Sequence, residues 1–209
     1  MAVSVIIPAY NEEKYIERTL QALHDVEVIV VCNGCTDKTA ELAGKYTDKV
    51  LVLEIKGVSH ARNTGAGFAS HHKLVFLDAD ILVDEKVLKN IAETKYSIGT
   101  CAVKADSPFL FDKSMMWLKS KFHRFGYCTG LLFCDKDLFD AIGRFEEYIS
   151  AGEDGKLLRE GKKRGSFGIV EGYVYNNMRR YRKMGYLSIC WYWIKHRIVP
   201  SQKEYESVR

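Results

Sequence analysis

Asp78 and Asp80 close the run Lys73-Leu74-Val75-Phe76-Leu77-Asp78-Ala79-Asp80, a short apolar stretch ending in two carboxylates one residue apart. Residues 74–77 have the composition of a parallel strand buried on both faces. In open α/β sheets, ligands bind just beyond the carboxyl ends of the strands. Two acids at that point suit a hard divalent cation, and Mg²⁺ is usually held by one or two carboxylates together with substrate phosphates. The chemistry expected is a metal–diphosphate site, with Mg²⁺ or Mn²⁺ as cofactor and Asp80 and Asp78 as its ligands. The plainer alternative is that these acids form a turn or cap a helix.

Other segments could complete such a site. Ile6-Ile7-Pro8-Ala9-Tyr10-Asn11-Glu12-Glu13 joins the first apolar run to a helix, and Pro8 is expected to end the strand. Tyr10 can stack on a flat ring, and Asn11 or Glu12 can read base or ribose edges. Equally, Asn11 can cap the helix while the glutamates favour its N-terminus. In Lys56-Gly57-Val58-Ser59-His60-Ala61-Arg62-Asn63-Thr64-Gly65, the planar fork of Arg62 could reach a phosphate or a carboxylate. A surface pairing with a nearby acid would explain it as well. Ala151-Gly152-Glu153-Asp154-Gly155 places adjacent acids at a helix start, where acids are favoured in any case. Beside a metal–diphosphate site they gain a second meaning. Moving a sugar onto a hydroxyl requires a base to take the acceptor's proton.

Two other motifs are set aside. Gly65-Ala66-Gly67 has Ser70 where a dinucleotide fingerprint needs its third glycine, and it lies within a helix rather than after a strand. Cys32-Asn33-Gly34-Cys35 has no second pair at zinc spacing, and its helix begins nearer Thr36 than a redox motif requires. These thiols read as small residues packing a tight turn.

The elements that would carry these residues alternate regularly. Apolar runs at 3–7, 26–31, 50–53 and 74–77 read as strands, separated by helical patterns at 12–23, 36–45, 59–69 and 84–93. Thr36 or Asp37 would cap the second helix and Asp84 the fourth. Four βα units in sequence mean a doubly wound parallel sheet. The second half is less regular, with strands expected at 98–103, 129–134 and 167–170 and helices at 109–125, 135–142 and 154–164. The helix at 109–125 could also be a mobile lid. Residues 1–98 and 99–172 are read as two halves of one continuous domain, and 173–209 as a basic-aromatic helical tail.

Composition sets outer bounds. The 209 residues, 47% hydrophobic and 28% charged, are enough for one or two compact domains with an ample core. A net charge of +4 is too small to argue for nucleic acid. No leader is expected ahead of the first strand, and no apolar run is long enough to span a bilayer. The expected location is the cytoplasm, with the six cysteines reduced. In the tail, Arg179-Arg180-Tyr181-Arg182-Lys183 leads into Tyr186-Leu187-Ser188-Ile189-Cys190-Trp191-Tyr192-Trp193-Ile194 and then Lys195, His196 and Arg197. Basic flanks around Trp and Tyr suit a membrane interface, so residues 179–197 are a candidate peripheral contact at the inner face of the membrane. The competing reading is a helix packed on the core or on a second subunit.

Taken in order, Ile6-Ile7-Pro8-Ala9-Tyr10-Asn11-Glu12, Val31-Cys32-Asn33-Gly34-Cys35-Thr36-Asp37, Ala61-Arg62-Asn63, Asp78-Ala79-Asp80 and Gly152-Glu153-Asp154 resemble the family 2 glycosyltransferases of the GT-A fold. The resemblance spans about residues 3–165. It implies an α/β, Rossmann-like, mostly parallel sheet flanked by helices, with a C-terminal acceptor-side region. It also implies that Pro8, Ala9, Tyr10, Asn11, Glu12 and Asn33 hold the nucleotide. Asp78 and Asp80 would contact ribose and the metal on the diphosphate, and Glu153-Asp154 would supply the catalytic base, with Asp154 in the base's position. One departure is Cys32-Asn33-Gly34-Cys35, where the family often has Asp-Asp-Gly-Ser. An amide donates as well as accepts, whereas a carboxylate only accepts, which leaves the nucleobase open. The Gln-x-x-Arg-Trp segment of processive polymer synthases is missing, so synthesis of a long polysaccharide is not expected.

The expected activity is metal-assisted transfer of a sugar, with inversion, from a UDP- or GDP-type donor to an acceptor hydroxyl or a lipid phosphate, carried by a glycan or a polyprenyl-type lipid. Arg62 would join the diphosphate clamp and Asp154 would deprotonate the acceptor. A nucleotidyltransferase of related fold is the alternative enzyme, but it would carry a Gly-rich basic loop where Pro8-Ala9-Tyr10-Asn11 stands. A non-catalytic sugar-nucleotide-binding module would lack the Glu153-Asp154 pair.

Overall fold

The computed structural model describes residues 1–122, 130–149 and 151–191. Its first half repeats strand and helix: β1 (Val3–Ala9), α1 (Ile16–Gln21), β2 (Glu27–Asn33), α2 (Thr39–Ala43), β3 (Val50–Leu53), α3 (Val58–Gly67) and β4 (Lys73–Leu77). These four strands are parallel, in the spatial order β3-β2-β1-β4. Their carboxyl ends therefore lie along one edge of the sheet. Every residue of β1 is buried, as its unbroken apolar composition requires.

The second half adds β5 (Ile81–Val83), α4 (Glu85–Glu93), β6 (Ile98–Asp106), α5 (Leu110–Lys121), β7 (Leu131–Asp135), α6 (Lys136–Ala141), α7 (Glu153–Arg164), β8 (Phe167–Asn177) and α8 (Arg179–Met184). One sheet of eight strands results, ordered β3-β2-β1-β4-β7-β6-β8-β5. β7 runs antiparallel to β4 and β6, β8 parallel to β6, and β5 antiparallel to β8. The α/β class with a mostly parallel sheet flanked by helices is thus observed.

Strand alternation divides the core between the two faces. Val5, Ile7, Val30, Val75 and Leu77 pack on one side with Ile16, Leu88 and Ile91. Ile6, Ile29, Val31, Leu74 and Phe76 pack on the other with Ala61, Phe139 and Leu158. α3 lies unusually close to the sheet at Gly65, where a Cβ would come within 2.5 Å of the Ile6 side chain. That approach holds α3, and with it Arg62, against the centre of the parallel strands.

Several boundaries differ from those expected. β1 does not stop at Pro8 but continues through Ala9. Its pairing with β4 ends at Ile6, so the missing Pro8 N–H costs no ladder bond on that side. The first helix begins only at Ile16, because Asn11 adopts φ 50° and residues 12–15 form a turn on the Glu12 carbonyl. The second helix starts at Thr39, with Asp37 accepting its N–H at 3.0 Å. Asp84 caps α4 as expected, accepting from the Lys86 N–H at 3.0 Å. β8 runs well beyond 170, since its register with β6 jumps from Cys101↔Val170 to Ala102↔Tyr173 and the ladder then resumes. Gly172, at φ +114°, absorbs the irregularity. Parts of the expected segments at 109–125 and 129–134 fall on residues 123–129, outside the described residues.

Candidate active site

β4 ends at Leu77, and Asp78 follows with its N–H bonded to the Gly130 carbonyl at 2.9 Å. α3 directs Arg62 toward it, and α7 begins at Glu153 on the far side. Arg62 joins all three elements. One nitrogen of its guanidinium lies 2.9 Å from Asp78, and the other lies 2.9 Å from Glu153 and 2.8 Å from Asp154. The Phe145 ring stands 5.1 Å from the guanidinium carbon. Only 5% of the Arg62 side chain is exposed, against 41% of Asp78. The cluster therefore has a buried cation at its base and a carboxylate open to incoming groups.

The charges are strongly coupled. Burial alone would weaken the hold of Arg62 on its proton, but Asp154, Asp78 and Glu153 outweigh it and keep the group cationic. Burial pushes the Asp154 carboxyl up to about 7, opposed by Arg62 and reinforced by repulsion from Glu153 and Asp78. Such an acid is poised to exchange a proton near neutrality. Burial likewise raises Asp80 to about 6, against the pull of Arg179 and with repulsion from Asp78 and Glu12.

Arg179, at the start of α8, is a component that the sequence reading placed elsewhere, in the membrane-facing tail. It lies 2.6 Å from Glu12 and 3.1 Å from Asp80, and its guanidinium carbon sits 4.4 Å from the centre of the Tyr15 ring. Its position just after the last strand of the sheet was the one available signal. A second cation thus faces the second acid of Asp78-Ala79-Asp80.

The N-terminal motif forms the adjoining wall. Pro8 and Ala9 are the final residues of β1. Asn11 accepts the Thr36 N–H at 2.7 Å and donates to the Thr36 hydroxyl at 3.1 Å, tying the β1 loop to the β2 loop. Tyr10 has the Lys56 ammonium 4.4 Å from its ring centre, so a cation and an aromatic face lie together at this edge. Asn33 is buried with both ends of its amide engaged. It donates to the Ala9 carbonyl at 2.8 Å and accepts the Gly57 N–H at 3.2 Å. Here it shapes the backbone of the wall. Cys32 is buried, and Cys35 accepts the Asn11 N–H at 3.4 Å, as packing thiols of a tight turn would.

Among the described residues no three His, Cys, Asp or Glu side chains converge as a complete metal cage. The acids present nevertheless fit a hard cation that is shared with phosphates. Asp78 is open to solvent, and Glu12, which meets Arg179 together with Asp80, has a buried Oε2 with no hydrogen-bond partner.

The tail is partly accounted for. Tyr181 and Ile189 are buried, and Arg182 pairs with the buried Asp112 at 3.0 Å. Leu187 and Trp191 are exposed. Residues 192–197 of the expected membrane segment lie outside the described residues. No helix among the described residues is long and apolar enough to cross a membrane.

The geometry can be set beside known proteins. Residues 4–146 match the family model described as glycosyl transferase family 2. Glycosyltransferase AglE of Haloferax volcanii is 30% identical over 177 residues, which cover 73% of this chain and 58% of that protein. A crystal structure of S. aureus TarS in complex with UDP-GlcNAc superposes with a TM-score of 0.70 at 25% identity, covering 85% of this chain and 58% of that one. Mannosyltransferase PcManGT from Pyrobaculum calidifontis, in complex with GDP-Man and Mn²⁺, shares the fold with a TM-score of 0.67 at 22% identity, over 84% of this chain and 56% of that one. The chain thus spans a little over half the length of each of these relatives.

Proposed function

This chain belongs to glycosyl transferase family 2, and from that premise we propose that it moves a sugar from a nucleoside diphosphate sugar to an acceptor hydroxyl with inversion. The observation that carries the proposal is the Arg62 clamp. A single buried guanidinium holds Asp78, Glu153 and Asp154, drawn from three separate motifs, at the carboxyl edge of the parallel strands. A non-catalytic binding module has no use for a carboxyl raised to about 7 beside a diphosphate-binding acid.

The roles follow from position. Residues 1–98 bind the donor, with Pro8, Ala9, Tyr10, Asn11, Glu12 and Asn33 as the nucleotide wall. Residues 99–172 present the acceptor side and the base. Asp78 and Asp80 would hold Mg²⁺ or Mn²⁺ against the diphosphate, where a cation when bound offsets the charge of the leaving group. Asp154 accepts the proton of the acceptor hydroxyl. The acceptor oxygen bonds to the anomeric carbon on the face opposite the diphosphate, and the bond from that carbon to the diphosphate oxygen breaks with its electron pair leaving on the diphosphate. One displacement inverts the centre. Arg62 fixes Asp154 in place and stabilises the carboxylate that must act as base. A donor of UDP or GDP type is supported by the donors that TarS and PcManGT hold in their structures. The acceptor is a glycan or a polyprenyl-type lipid, met in the cytoplasm or at the inner face of the membrane.

The test is a thermal-shift panel of UDP, GDP, CDP and dTDP, each with Mn²⁺, Mg²⁺ or EDTA. A metal-dependent rise for one diphosphate is expected, and it identifies the base. No shift with any of them would overturn the reading.

A further inference from the structure

α5 presents large apolar side chains on both sides. Its inward face buries Met116 in the core together with polar groups. Asp112 is 1% exposed and is bonded by Ser107, Arg182 and Tyr186. Ser120 donates to the Val103 carbonyl and accepts the Val103 N–H, each at 3.0 Å. The outward face carries Leu110, Phe111, Trp117 and Leu118, which are 82%, 58%, 63% and 47% exposed. Residues seven apart on a helix share a face, so these four form one stripe of the kind that ordinarily turns to the core. The Phe111 ring meets Tyr186 edge-on at 4.6 Å, bringing the helical segment 186–191 against α5. That segment adds Leu187 and Trp191, 87% and 68% exposed.

The charge around this stripe has one sign. Asp112 is the only acid of α5, and it is buried. The exposed charges of the helix are therefore those of Lys113 and Lys121, and the neighbouring α8 adds exposed Arg182 and Lys183. Trp, Phe and Leu on one face with Lys and Arg around them is the composition of a helix lying in the plane of a membrane interface. A second copy of the chain would bring like charges face to face, whereas an anionic surface neutralises them.

We propose that the outer face of α5, with Leu187 and Trp191 beside it, docks this protein on an anionic lipid bilayer. α5 adds to the docking surface expected in the basic tail, whose Arg179 is engaged in the active site. α8 connects the two regions, reaching the donor site through Arg179 and α5 through Arg182. Docking would hold the acceptor side close to the bilayer, as a lipid-borne acceptor requires. That last link rests on the transferase reading, while the docking itself does not.

The test is co-sedimentation with vesicles of phosphatidylcholine alone or mixed with phosphatidylglycerol. The wild-type chain is compared with Leu110→Ser/Trp117→Ser, and each protein is also examined for its nucleoside diphosphate thermal shift and by sedimentation velocity. Binding to the mixed vesicles, weakened by salt and reduced at least about tenfold in the double variant with its thermal shift intact, is expected. No binding of the wild type to mixed vesicles, equal binding to phosphatidylcholine alone, or undiminished binding by the double variant would overturn the proposal. A dimer that the double variant splits, without vesicle binding, would overturn it in favour of self-association. Vesicle binding without any nucleotide shift would support the docking face while removing the donor reading.

Discussion

Arg62 and Asp154 stand 2.8 Å apart although one lies on α3 and the other in the first turn of α7. The pair joins the parallel half of the sheet to the element that carries the candidate base. Because Arg62 also holds Asp78 at 2.9 Å, the acids at the end of β4 and at the start of α7 share one cation.

That sharing makes Arg62 a stability element as well. Removing one partner of a buried ion pair leaves uncompensated charge and typically costs about 3–5 kcal/mol. Arg62→Met is therefore expected to lower unfolding free energy by roughly that amount in a urea titration. A variant as stable as the wild type would show that the carboxylates are satisfied without it.

A base must be ionised to act. With Asp154 raised to about 7, the rate of donor turnover should climb with pH through that value and level off above it. A pH–rate profile flat between about 5 and 8 would assign the proton to another group.

Arg179 pairs with both Glu12 and Asp80. Arg179→Gln should leave these acids facing one another and tighten Mn²⁺ binding by roughly tenfold in calorimetry, about 1.4 kcal/mol. Unchanged Mn²⁺ affinity would show that the guanidinium does not compete with a cation there.

Glu27 provides a pH test away from the site. Burial would raise its carboxyl, but bonds from Lys49, Ser4 and Ser70 prevail and hold it at about 2, below its ordinary 4.5. The unfolded chain binds the proton first as pH falls, so the stabilisation is full above about 4.5 and is lost as pH drops toward 2. Glu27→Gln should lose roughly 2 kcal/mol at neutral pH and flatten this acid dependence in denaturant melts. An unaltered acid limb would exclude Glu27 as its source.

The βα alternation was legible because each strand is a short apolar run and each helix carries its own local signal. Asp78 and Asp154 were legible for a related reason, since an acid at the end of an apolar strand or at a helix start is visible within a few neighbours. Arg179 was not, because its partner Glu12 lies 167 residues away and the residues that follow it are mostly basic. The short β5 escaped because its three residues exist as a strand only by pairing with β8. Nor could local sequence tell which side chains of α5 face outward, since buried Asp112 is held by Arg182 of α8 and by Tyr186 beyond it, about 70 residues further along the chain.

The most direct test of the central claim is Asp154→Asn, read by two assays. One is calorimetry with the nucleoside diphosphate that the panel selects. The other is release of that diphosphate from its sugar nucleotide, with water or an acceptor alcohol as the nucleophile. Turnover should fall by about 10²–10⁴ while diphosphate affinity stays within about twofold, since the amide keeps the shape but cannot take a proton. Full turnover in the variant would contradict the assignment of Asp154 as the base.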